Sequence, residues 1–251
     1  MRMKCIAALI LVPVMGFSAI DDSKEERMKI LAELGLPLPD SGIKLVPRST
    51  FNLTEEEMTK GLAEEQQMKQ QGFIEEPSSR ATELMNFKPH SAMEFKHYKG
   101  ISNHSGTHIR ASIKDLKLAF KFNGIPRSLT ANSKNIAIDS IGFVPQGSYH
   151  EAGWSGAVQF FEAKGVGICA YAIRNVAASH TAVEFALEDA AYFVNNKLSN
   201  IEVRGNKATG FDYKLKWYDD QNFHELECAN KRYSPKINRQ VIDLAQKIDL
   251  G

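Results

Sequence analysis

Hydrophobic and polar positions change character near residue 87. Beyond it, alternation dominates. Leu116, Leu118, Phe120 and Phe122 alternate with Lys117, Ala119, Lys121 and Asn123, and Gly124-Ile125-Pro126 closes the run, which predicts a half-buried strand. Asn135 to Val144 and Ala157 to Ala163 predict two more. Gly165 to Val176 is apolar on both parities, as a strand buried on both faces should be. The clearest local pattern is a hairpin: Phe211, Tyr213, Leu215 and Trp217 alternate with Asp212, Lys214, Lys216 and Tyr218, Asp219-Asp220-Gln221-Asn222 supplies the turn, and Phe223 to Cys228 returns. If Tyr218 faces Phe223, then Trp217 meets His224, Leu215 meets Leu226 and Tyr213 meets Cys228, so the aromatic face and Cys228 share one side.

Helical spacing is predicted in two places after residue 87. Thr181 to Leu198 places Val183, Leu187, Ala190, Ala191 and Val194 on one side, with Thr181 and Glu184 as a capping box. Ser234-Pro235 opens a C-terminal helix carrying Ile237, Val241, Leu244, Ala245 and Ile248. Antiparallel strands with a few helices make residues 87–251 an α+β domain.

The preceding stretch reads differently. Asp21 to Leu34 predicts a short helix, broken by the Pro/Gly-rich residues 35–42. A second helix starts at Thr54, with Glu57 completing a capping box and Gly72 as the stop. Its apolar residues, Met58, Leu62 and Met68, are sparse, so its buried stripe is narrow. Glu75-Glu76-Pro77-Ser78-Ser79 reads as linker. Residues 19–86 are therefore expected to form an extended or helical arm that buries little within its own domain and docks on another surface.

Residues 1–18 have the build of a signal peptide: Arg2 and Lys4, an apolar run from Cys5 to Phe17, and a small-x-small exit at Gly16-Phe17-Ser18. The run is shorter than the roughly 20 residues a bilayer requires, so no membrane span is expected. Removing Arg2 and Lys4 from the 31 basic side chains leaves 29 against 30 acidic ones, a balance that offers nothing to nucleic acid. Cys169 and Cys228 are the cysteines that remain beyond the signal, and in a periplasmic or secreted protein they are expected to pair as a disulfide. Closing that loop restricts the unfolded chain by about 4 kcal/mol.

Four fragments could carry chemistry. His104-Ser105-Gly106-Thr107-His108 resembles the opening of the metal-binding stretch of the kynurenine formamidase-like cyclase family, His-x-Gly-Thr-His-x-Asp-x-Pro-x-His. The resemblance implies a divalent cation that activates water, held here by His104 and His108 with His97 as a further candidate. The chain departs from the pattern at Arg110, Ser112 and Lys114, where the family has Asp, Pro and His. Gly153-Trp154-Ser155-Gly156-Ala157 approximates a nucleophile elbow, but a loop precedes it and a strand follows, the reverse of what an elbow needs. Gly165-Val166-Gly167-Ile168-Cys169-Ala170 approximates a dinucleotide-binding turn, yet it continues as strand where a helix should open. Cys169 with His180 or His224 could form a thiol dyad, an alternative that competes with the disulfide.

The resulting expectation is a non-enzymatic, exported structural or adaptor protein that requires no cofactor or metal. It would contact other envelope or secreted proteins through residues 19–86, as an accessory subunit of a secretion apparatus such as a type IV secretion core complex would. The alternative is a metal-assisted hydrolase using His104 and His108.

Overall fold

The computed structural model describes residues 43–87, 109–131, 134–179, 183–186, 189 and 192–250. The candidate signal peptide, the helix expected over 21–34, and His97, His104, His108 and His180 lie outside the described residues.

The predicted hairpin is the centre of the molecule. Strands β10 (Gly210–Tyr218) and β11 (Asn222–Asn230) pair in the expected register, Tyr218 with Phe223, Trp217 with His224, Leu215 with Leu226 and Tyr213 with Cys228. The turn holds because Asp219 Oδ1 accepts the backbone N–H groups of Gln221 and Asn222 at 2.9 and 2.8 Å. On its other edge β11 pairs with β6 (Gly167–Asn175), placing Cys228 directly opposite Cys169. Their Cα atoms lie 4.1 Å apart and a disulfide joins them, a cross-strand bridge at the close spacing of a non-hydrogen-bonded pair. Gly167 opens β6 at φ +131°, and a Cβ there would fall 2.1 Å from the Ala229 carbonyl oxygen. The Gly-x-Gly stretch thus serves close backbone approach beside the disulfide, and no helix opens from it.

The sheet grows outward from this centre. β5 (Gly153–Ala163) and β4 (Lys134–His150) follow β6, with β3 (Ser128–Ala131) at one edge. β9 (Lys197–Asn206) follows β10, and β2 (Ile74–Glu75) and β8 (Tyr192–Val194) both pair with it. β2 runs parallel to β9; the other pairings in this nine-stranded sheet are antiparallel. With helices packed on its faces, the domain is α+β. A separate parallel pair joins β1 (Ile43–Val46) to β7 (Val183–Ala186).

Each sheet face buries its own cluster. Tyr213, Leu215, Trp217, Leu226 and the disulfide meet Val241, Leu244 and Ala245 of the C-terminal helix, Pro235–Asp249, capped by Ser234 with Pro235 in its first turn. The opposite face packs Val158, Phe160, Ala170 and Ala229 against Ala81 and Leu84 of a short helix, Ser79–Met85, and Phe87 stacks on Phe160 at 4.6 Å. In chain order the helices are α1 (Glu55–Gln71), α2 (Ser79–Met85), α3 (Val176–Ser179) and α4 (Pro235–Asp249). α1 has the predicted capping box, with Gly72 left-handed at its end.

Three expectations change. Residues 116–122 form no ladder strand: the chain bends at 119–120 and meets the sheet through one bridge, Leu118 with Trp154, while Leu116, Leu118, Phe120 and Phe122 rest on the core. Their alternation records one-sided burial over a sheet face. Instead of a helix over Thr181–Leu198, the described residues form β7, β8 and the start of β9, and Asn195 at φ +54° begins the two-residue turn between Val194 and Lys197. The β-branched and aromatic residues Val183, Phe185, Tyr192, Phe193 and Val194 favour strand over the coincidental helical spacing.

The third change concerns the arm. Its apolar residues are few, but Met68, Ile74, Ala81, Leu84 and Phe87 are all buried against the sheet. Arg204 on β9 grips Glu64, Glu76 and Glu202, and Arg80 Nε donates to Glu227 at 2.7 Å. Residues 64–87 are part of the folded body, contrary to an arm that buries little.

Two measurements follow from this packing. Intact mass should show two thiols only after reduction, and Cys228→Ala should cost about 2–5 kcal/mol in denaturant unfolding; ready alkylation of both cysteines in the unreduced fold would contradict the bridge. Leu84→Ala should cost about 2–5 kcal/mol, whereas Leu62→Ala on α1 should stay within about 0.5 kcal/mol. Equal effects would mean that α2 is not part of the core.

Candidate functional site

An open cleft of about 500 Å³ lies where residues 121–126 cross the sheet beside the end of α4. Phe122, Ile125 and Ile248 line its apolar side. His224 and Tyr171 belong to its polar wall, and the fully buried Trp217, cross-strand partner of His224, backs them, its ring stacked on His224 at 5.0 Å with 5° between planes.

Hydrogen bonds tie this wall together. Tyr171 Oη lies 2.8 Å from His224 Nδ1, and His224 Nε2 lies 3.1 Å from Asp219 Oδ2. Burial, and then the charges of Asp249 and Asp219, push the Tyr171 phenol far above its ordinary range, so it keeps its proton. Burial pushes the Asp219 carboxyl up, but hydrogen bonds from His224, Gln221 and Asn222 outweigh this and hold it well below the usual carboxylate range. With His224 as the Nε2–H tautomer, Tyr171 O–H donates to Nδ1 and Nε2–H donates to the Asp219 carboxylate. Asp249 anchors the other half, accepting from Trp217 Nε1 at 2.9 Å and from Lys197 on one oxygen, and from Asn195 Nδ2 at 2.8 Å on the other. Both imidazole nitrogens are engaged and the phenol is protonated. The wall can present shape and charge to a bound group.

The sequence-derived candidates fare differently. Cys169 is committed to the disulfide and His224 to Tyr171 and Asp219, so the thiol dyad is not formed. Ser155 lies buried within β5, its Oγ accepting from Ser148 N at 2.9 Å, and strand flanks it where an elbow would turn into helix. Among the described residues no group of three His, Cys, Asp or Glu side chains could hold a metal. Sequence reasoning placed Trp217 opposite His224 but missed Tyr171, Lys197 and Asp249 as their companions, and the alternation of β6 was the available signal for Tyr171. No protein-family profile, curated protein or solved structure matches this chain.

The other sheet face carries a buried acid. Burial, and then the neighbouring Glu227 carboxylate, push the Asp212 carboxyl up to about 8, and its Oδ1 has no hydrogen-bond partner. Glu227 stays ionised because Arg80 and Lys214, whose Nζ lies 2.6 Å away, offset its burial. The folded protein therefore holds the Asp212 proton more tightly than the unfolded chain, whose carboxyl titrates near 3.8. The stability this contributes is complete below about pH 4 and is lost as the pH rises toward 8. Asp212→Asn should flatten that decline and leave the variant the more stable of the two above pH 8, as measured by urea unfolding across the range. Parallel pH profiles for the two proteins would refute a protonated Asp212.

Proposed function

We propose that this chain is an extracytoplasmic adaptor that acts by contact with other proteins. The observation that carries the reading is the first half of α1. Every residue from Glu55 to Lys60 is exposed, as are Leu62 and Ala63. Met58 and Leu62 are 47% and 61% exposed. A helix segment with so little packing would fray if it stood alone. Here the Thr54–Glu57 capping box secures its start, and Met68 together with the Glu64–Arg204 ion pair fixes its other half to the body. Met58 and Leu62, four residues apart, form an apolar pair on one side, preceded by Glu55, Glu56 and Glu57 in the first turn.

This is the geometry of a helix that enters an apolar groove on a partner, and the acidic first turn calls for basic residues at the rim of that groove. It keeps the expected contact within residues 19–86 and narrows it to residues 54–63. An accessory subunit of a multiprotein secretion apparatus would use such a contact. The disulfide supports an oxidising compartment, and among the described residues no helix is long and apolar enough to cross a membrane.

Photo-cross-linking in the native host tests the proposal. A cross-linking residue at position 62 should trap a discrete partner, while one at Lys236 on the body should not. Leu62→Glu should abolish co-purification of that partner without lowering the melting temperature. Cross-links at both positions alike, or co-purification that survives Leu62→Glu, would overturn it.

A further inference from the structure

A second, narrower site differs from the cleft in the state of its hydrogen bonds. It is a slot between the β1–β7 pair and the main sheet, with free space of about 260 Å³ including its mouth and an enclosed depth of about 20 Å³, enough for one water-sized group. Leu45, Phe185 and Ala186 form its apolar side, and Phe185 stacks on Tyr218 at 5.1 Å.

The polar groups opposite are donors with little to donate to. Tyr218 is 7% exposed, yet its buried hydroxyl has no hydrogen-bond partner. Burial pushes its phenol far above the ordinary range, so it stays an O–H donor. The Lys216 side chain is 14% exposed, and its ion pair, with Glu225, spans 3.8 Å, beyond hydrogen-bond length. Asn200 adds an amide to the same wall. The carboxylate on the wall, Asp189, is occupied by Arg48 at 2.7 Å. A buried donor without an acceptor is costly, and two hydroxyls on this slot, Tyr218 Oη and Ser199 Oγ, are buried with no partner, beside the loosely paired Lys216.

We propose that this slot is a binding site for a carboxylate carried on a short aliphatic chain. One carboxylate oxygen takes the enclosed depth, where it accepts from Tyr218 Oη and Lys216 Nζ. The aliphatic body lies in the mouth against Leu45, Phe185 and Ala186. Apolar walls with a few convergent polar groups are the usual make-up of a small-molecule site. The site does not depend on the α1 contact.

Titration of the full-length protein with hexanoate, hexanol and hexylamine, followed through the backbone amide resonances of Phe185, Ala186, Asn200 and Tyr218, tests this. Hexanoate should bind at least tenfold more tightly than either of the others. Lys216→Met should remove the preference for hexanoate over hexanol. Tyr218→Phe should weaken hexanoate several-fold while leaving the melting temperature unchanged or raised, because the lost hydroxyl has no partner in the unliganded fold. Equal affinity for hexanoate and hexanol would overturn the proposal. So would a slot whose resonances respond to none of the three and that retains only an exchanging water.

Discussion

The placement of β11 between β10 and β6 is the constraint on which the rest of the structure depends. Its register on one side is set by the Asp219 turn and on the other by the Cys169–Cys228 bridge, and a shift of one residue would turn every side chain to the opposite face. With the register held, Tyr213, Leu215 and Trp217 line up with Leu226 and Cys228 to receive α4, while Asp212 and Glu227 face α2. The stack in which Trp217 backs His224 and Tyr171 at the cleft wall is therefore a product of the same alignment. Core and cleft are two readings of one ladder.

What was legible in the residues was local. The hairpin could be read to the pair because alternation and turn chemistry lie within about twenty consecutive positions, and α1 could be bounded because its capping box and Gly72 are local signals. Residues 116–122 alternate without forming a ladder strand because alternation reports only which side of a chain is buried. It does not report whether a neighbouring strand supplies hydrogen bonds. The region after Thr181 was misread for a related reason: spacing alone suggested a helix, while the Asn195-Asn196 turn and the β-branched and aromatic content pointed to strand. In the cleft, the Trp217–His224 pair followed from the register, but Lys197 and Asp249 are separated by 52 positions and meet only in three dimensions.

The early part of the chain shows why average composition is a poor guide to burial. Residues 64–87 contain few large apolar side chains, and nearly all of these are inside. Arg204, holding three carboxylates at once, and Arg80 on Glu227 do the remaining work of keeping the segment on the sheet. Partly buried clusters of this kind fix orientation more than they add stability. Their effect here is to aim α1, so that its first turns face solvent instead of folding back.

The order of strands in space also has a temporal meaning. A ribosome delivers the chain from its first residue, yet β2 must wait for β9 and β1 for β7, each more than a hundred residues downstream. β6 has no permanent neighbour on one side until β11 emerges, close to the end. The β3–β4–β5 hairpins can pair as they emerge, but β1, β2 and the second edge of β6 cannot settle until the last third has been made. The disulfide obeys the same timetable, because Cys169 can find Cys228 only once β11 has been made.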